Sequence, residues 1–193
     1  MEKGYSFNKT EKLKRNWLVQ IMLKRPQHQL SYFGMLTDDS LENRKGTLQH
    51  FIIDMESRGV NVLPYNSING YTKNDRYSYT NDFLKLYKEN GSNDEIIFAD
   101  PNTGFYSTDV STVKESKHID MEMIKMLIDG ISDNSTVFCF QYNQNDTYTR
   151  GIEKGIEAYI VDNNLDIKFT LYDDFISAVP QLKFYEFKKM TSK

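Results

Sequence analysis

Ile96-Ile97-Phe98-Ala99-Asp100-Pro101-Asn102-Thr103-Gly104-Phe105 is the stretch that decides the fold. Four apolar residues run without alternation and stop at Asp-Pro and a glycine-bearing turn. A strand that is apolar on both sides is covered on both sides, as in a parallel sheet between helical layers. Pro101 has no N–H for a ladder hydrogen bond, so the strand ends there. Gly104 can take backbone angles closed to other residues. Such a strand delivers the Asp100 carboxylate to the C-terminal rim of the sheet, the edge at which open α/β sheets bind ligands.

Outward from this strand, helical and extended patterns alternate. Leu13, Trp17, Leu18, Ile21 and Met22 fall on one helical face, and Pro26 ends that helix. Ser31 to Leu36 reads as a strand closing at Thr37-Asp38-Asp39. Leu48, Phe51, Ile52 and Met55 repeat at helical spacing, with Gly59 placed as a C-terminal stop. Val60 to Tyr65 reads as a strand, Asn66 to Tyr79 as a long polar loop, and Phe83, Leu84 and Tyr87 as a short helix. Downstream, a loop reaches Lys117 and a helix carries Met121, Ile124, Leu127, Ile128 and Ile131. Val137 to Tyr142 is a buried strand, and Ile152, Ile156, Tyr159 and Ile160 form a helix face. Ile167, Phe169 and Leu171 alternate as a strand does. Phe175–Val179 and Lys183–Phe187, split by Pro180, read as a closing antiparallel pair. Strands alternating with helices imply βαβ units. The expected fold is Rossmann-like α/β: a mostly parallel sheet, helices on both faces, and a C-terminal antiparallel strand pair. With no repeat and no linker, residues 1–193 read as a single α/β domain.

Composition limits the chemistry. The net charge is −3, which gives the whole molecule no electrostatic reason to coat nucleic acid. Basic residues nevertheless gather at both ends: Lys9, Lys12, Lys14, Arg15, Lys24 and Arg25, then Lys183, Lys188, Lys189 and Lys193. They read as two solvated faces, with a local phosphate-binding patch as the alternative. The one cysteine, Cys139, lies in an apolar run, so it forms no intramolecular disulfide and reads as a buried, inert thiol. No apolar stretch is long enough to span a bilayer and no signal-peptide core is present, so a cytoplasmic protein with no membrane contact is expected. Richness in Lys, Asn, Asp, Ile and Tyr, with 4 Pro, points to an AT-rich source such as a low-GC bacterium or its phage. Metalloprotease, paired-cysteine and P-loop patterns do not occur in the sequence.

Parallel strands share a direction, so three strand ends meet at one rim. They carry Asp38 and Asp39; Asp100 and Asn102; and Gln141, Tyr142, Asn143, Asn145 and Asp146. Converging carboxylates and amides hold Mg²⁺ through oxygen or hydrogen-bond a base or ribose. Asp100 and Asn102 are the candidate catalytic pair. Asp38, Asp39, Gly104, Lys117, Gln141 and Asn143 are the candidate substrate-binding residues, with Lys117 placed to approach a phosphate. Asp100 is expected to point into the rim beside Asn102, Asp38 and Gln141 and to add little to stability. His118 reads as a surface or capping residue at a helix start.

Asp100-Pro101 after Ile96-Ile97-Phe98-Ala99 resembles motif IV of Rossmann-like amino-methyltransferases, whose fourth strand ends in Asp/Asn-Pro-Pro-aromatic. The downstream order of helix, strand, helix and closing antiparallel pair is similar too. A second resemblance is to a group of uncharacterised bacterial proteins with a strand ending Asp-Pro-Asp-Asn-Gly, then Ser-Lys-Tyr and Tyr-Gln-His. Here those positions read Asp100-Pro101-Asn102-Thr103-Gly104, Ser116-Lys117-His118 and Phe140-Gln141-Tyr142. The resemblance covers residues 94 to 188 and implies the fold and a nucleic-acid- or nucleotide-directed enzyme, acting by methylation of an amino group. Mg²⁺-dependent phosphodiester hydrolysis is the second chemistry that the rim allows. The chain departs from the motif at Asn102 and Thr103. Phe33-Gly34-Met35-Leu36-Thr37-Asp38-Asp39 holds one glycine and two acids where a glycine-rich cofactor loop belongs. S-adenosylmethionine is therefore not expected. The alternative function is a catalytically silent nucleotide-binding or sequestering protein of phage or bacterial defence.

Overall fold

The computed structural model describes residues 9–35, 41–60, 62–63, 76–90, 94–101, 104–105, 118–142, 146–172 and 182–190. In chain order these form α1 (Lys9–Lys24), β1 (Gln29–Met35), α2 (Leu41–Ser57), β2 (Val62–Leu63), α3 (Arg76–Asn90) and β3 (Glu95–Pro101). There follow α4 (Met121–Gly130), β4 (Thr136–Tyr142), α5 (Asp146–Asp162), β5 (Ile167–Tyr172) and β6 (Leu182–Lys189). The six strands make one sheet in the order β2-β1-β3-β4-β6-β5. The pairs β2–β1, β1–β3 and β3–β4 are parallel, and β6 runs antiparallel to both β4 and β5. The fold is therefore α/β, with a mostly parallel sheet and an antiparallel C-terminal pair.

The run that decides the fold sits where its composition requires. β3 lies between β1 and β4, and Ile96, Ile97, Phe98 and Ala99 are all fully or almost fully buried. Its side chains alternate between two cores. Ile96 and Phe98 join Leu30, Phe138, Phe140 and Phe184 beneath α1 and α2. Ile97 and Ala99 join Phe33, Val137, Cys139 and Phe187 beneath α3, α4 and α5. In the first core the Trp17 ring stacks on Phe184 at 3.8 Å and meets Phe138 edge-on at 5.1 Å. Gly59 ends α2 in the left-handed region at φ 78°, and the Val60 amide then closes on the Met55 carbonyl at 3.1 Å.

Four expectations are corrected. The antiparallel pair is Ile167–Tyr172 with Leu182–Lys189; the alternation of Ile167, Phe169 and Leu171 marked the true first member, and 175–179 lies outside the described residues. Residues 76–79 belong to α3, because Tyr79 turns into the core and gives the polar segment a buried face. Lys14 and Arg15 are buried rather than solvated. His118 is buried too, beside the short parallel bridge between Phe105 and Ile119. No helix among the described residues is long and apolar enough to cross a membrane.

Candidate functional site

Parallel strands β1, β3 and β4 end at one edge of the sheet, and Asp100 stands at the end of the central one. It follows Ile96 and Phe98 in the period-2 alternation, so its side chain emerges on the α1 face. There Lys14 Nζ donates to Asp100 Oδ1 at 2.8 Å and the Tyr32 hydroxyl donates to Oδ2 at 2.7 Å. The Lys14 side chain is 4% exposed and that of Asp100 13%. The ammonium also lies 4.0 Å from the centre of the Phe140 ring. Charges taken this far from water are tolerated only when paired. Asp100 is thus a structural counter-ion as well as a rim group, which corrects the expectation that it adds little to stability.

Gly34 explains how Tyr32 reaches. Gly34 is the register partner of Asp100 across the β1–β3 ladder. A Cβ at Gly34 would stand 2.5 Å from Tyr32 Cε1, so the phenol ring lies over the bare glycine on its way to Asp100. Phe51 of α2 stacks on that ring at 4.4 Å. On the opposite face of the sheet, the buried Tyr79 hydroxyl donates to the Gly34 carbonyl at 2.5 Å, and burial raises its pKa well above the ordinary phenol range.

Gln141 belongs to that opposite face. It alternates with Val137 and Cys139 and is buried. Its Oε1 accepts from the Phe105 amide at 2.5 Å, and a Cβ at Gly104 would meet the same oxygen at 2.6 Å. Gly104 has φ 94°, a left-handed conformation that glycine takes without strain. Its carbonyl accepts from the Ile119 amide at 3.1 Å, and Asp120 caps α4 by accepting from the Met123 amide at 2.9 Å. Gln141 and Gly104 therefore fasten the segment after β3 to the end of β4. The structure brings these two together and separates both from Asp100 by the thickness of the sheet. Cys139 is fully buried, and its thiol is pushed well above its ordinary pKa, first by burial and then by the Asp100 charge, with Lys14 opposing. Asp38, Asp39, Asn102, Lys117 and Asn143 lie outside the described residues.

From the sequence alone Lys14 reads as part of a solvated basic face, and Tyr32 is not singled out. A signal existed for each. Lys14, Leu18 and Met22 share one i, i+4 row, so a lysine stands inside an apolar stripe and needs a buried partner. Tyr32 precedes Gly34 by two residues on one strand face, the spacing at which an aromatic ring can cover a glycine.

Among the described residues no three His, Cys, Asp or Glu side chains converge as a metal site. Mg²⁺ at Asp100 would have to compete with Lys14 and Tyr32 for the carboxylate. Nor does Gly34 offer the backbone cradle that S-adenosylmethionine needs, because Tyr32 fills the space above it. Neither group fits the described residues. No family model matches the chain, and no curated protein does. Among solved structures the chain is similar to an rRNA methylase from Streptococcus thermophilus, with a TM-score of 0.44 and 11% identity over 92% of this chain and 97% of that one.

Proposed function

We propose that the chain is a nucleotide- or nucleic-acid-directed enzyme that works at the C-terminal edge of its sheet, with Asp100 as the acceptor that holds an amino-bearing base. One observation supports this reading: a carboxylate at the end of the central strand, held by Lys14 at 2.8 Å and by Tyr32 at 2.7 Å. A carboxylate offers about four lone-pair positions, and these partners use two. The remaining positions suit N–H donors, and the fixed geometry removes the reorganisation that a mobile side chain would need. Lys14 offsets the charge, so the group acts as a hydrogen-bond acceptor rather than as a free cation ligand. In this reading Asn102 supplies an amide beside Asp100, Asp38, Asp39 and Asn143 line the rim, and Lys117 meets a phosphate. Gln141 and Gly104 position the segment between β3 and α4.

A sequestering protein without turnover is the second reading. It is favoured by the Tyr32 ring over Gly34, which takes from the end of β1 the open backbone that a cofactor would use. Calorimetry with a panel of nucleosides and nucleotides tests both. The enzyme reading expects a ligand that binds wild type and binds Asp100→Asn at least about tenfold more weakly, the loss of a hydrogen bond to a charged group. Mass spectrometry of the ligand after incubation then separates the two: conversion supports the enzyme, unchanged ligand the sequestering protein. Equal affinity in wild type and in folded Asp100→Asn removes Asp100 from the site.

A further inference from the structure

One basic residue from each end of the sequence reaches a cleft at the other end of the sheet. Arg25, in the turn after α1, and Lys188 of β6 face one cleft of about 420 Å³, together with His28, Lys168, Thr170 and Glu186. The cleft lies where β1 begins and β6 ends, remote from Asp100 at the far edge. Its floor is the β5–β6 pair, in which Lys168 stands opposite Lys188 and Thr170 opposite Glu186. Two ammonium groups thus project side by side from one face. Like charges placed directly across a strand pair repel and destabilise the sheet. Neither lysine has an acidic partner among the described residues.

Glu186 does not neutralise them, because its oxygens are already committed. Oε1 accepts from Arg25 Nη2 at 2.8 Å and from the Thr136 hydroxyl at 3.3 Å, and Oε2 accepts from the Tyr172 hydroxyl at 2.7 Å. Three cations therefore face one occupied carboxylate. The His28 pKa is lowered first by burial and then by Arg25, the Asn134 carbonyl and Asp94 raise it, and Lys188 adds a smaller lowering. Its Nδ1 is buried without a hydrogen-bond partner.

We propose that this cleft binds a phosphate-bearing small molecule, with Lys168 and Lys188 sharing the anion and the Thr170 hydroxyl donating to it. A bound phosphate relieves the lysine repulsion and gives both ammonium groups charge-assisted hydrogen bonds. At about 420 Å³ the cleft falls in the size range of small-molecule sites, larger than one phosphate ion requires.

Titrations at low ionic strength with pyrophosphate, adenosine diphosphate and a single-stranded RNA oligonucleotide test this, read by calorimetry and by the His28 ring resonances. Wild type is expected to bind pyrophosphate or the nucleotide with shifts at His28. The Lys168→Ala/Lys188→Ala double variant binds at least about tenfold more weakly, as loss of a charged hydrogen-bond donor implies. Asp100→Asn binds at this cleft as wild type does, so the result stands apart from the rim reading. Equal affinity for the two small ligands assigns the site to the phosphate group alone, and tighter nucleotide binding assigns it to a nucleotide; both uphold the proposal. Without phosphate the double variant melts above wild type at low salt, because the repulsion is gone; a lower melting point contradicts the unbalanced charge on which the site rests. Binding that is absent, that persists in the double variant, or that occurs only with RNA overturns the assignment.

Discussion

Replacing Lys14 with methionine tests whether the ion pair at the head of β3 holds the fold together. Methionine keeps most of the side-chain volume against Phe140 and removes the ammonium. Asp100 then retains only the Tyr32 hydroxyl. Removing one member of a buried pair costs ~3–5 kcal/mol, because the other charge is left uncompensated. The Asp100 side chain keeps 13% exposure, which places the expected loss near the lower limit, about 3 kcal/mol. That is a large share of the ~5–15 kcal/mol by which a domain is stable. Asp100→Asn removes the carboxylate that Lys14 Nζ meets at 2.8 Å and should also cost stability. The double variant removes both charges, so its loss should fall short of the sum of the singles by about 1–3 kcal/mol. Urea denaturation followed by fluorescence of the single tryptophan, Trp17, reads all three, since Trp17 is 4% exposed and stacked on Phe184. A Lys14→Met loss below about 1 kcal/mol, or additive singles, would show that the pair behaves as a surface contact.

Three further outcomes follow from the same geometry. Gly34→Ala brings a Cβ to 2.5 Å from Tyr32 Cε1, so the ring must leave Asp100; an expected loss of about 1–3 kcal/mol in chemical denaturation should shrink in a Tyr32→Ala background. Phe98→Ala empties a site that is 1% exposed beside the Tyr32 and Phe51 rings and should cost about 3–5 kcal/mol, with a loss under about 1 kcal/mol ruling out the packing described. Burial, then the bond to Glu186, push the Tyr172 phenol from 10.0 up to about 12. A raised pKa contributes stability that is complete below the ordinary value and lost as pH rises through the shifted one. Melting temperature should therefore fall between pH 10 and 12, less steeply in Tyr172→Phe, and a flat profile would contradict the burial of that hydroxyl.

How much of this was legible in the sequence depended on how local the cause was. Ile96 to Ala99 could be read because a strand covered on both faces must be apolar at every position, and no knowledge of neighbours is needed. Gly59 could be read because a left-handed residue closes its own helix. The partner of Lys14 could not, since Asp100 lies 86 residues away. The faces of Asp100 and Gln141 required the register: Ala99 opposite Cys139 puts the odd positions of both strands on one face, so the even-numbered Asp100 turns to the other. The closing pair failed for a related reason. Both 167–171 and 175–179 have the composition of strands, and only long-range pairing selects Ile167–Tyr172 as the neighbour of β6. At the rim, the residue types were legible while their commitments to one another were not.

The place of β6 has a consequence for how the chain is made. Among the described strands β5 is joined to the sheet solely through β6, yet β6 is synthesised after it. Until Leu182–Lys189 arrives, β5 has no ladder to enter, and the outer edge of β4, with Phe138 and Phe140 on it, stays open. At ~5–20 residues per second the ten positions from Tyr172 to Leu182 take about a second to translate, long enough for an exposed apolar edge to meet another chain. Order of synthesis and order of assembly are opposed here. A released chain that lacked Leu182–Lys189 would keep the parallel strands and present the β4 edge that β6 covers here.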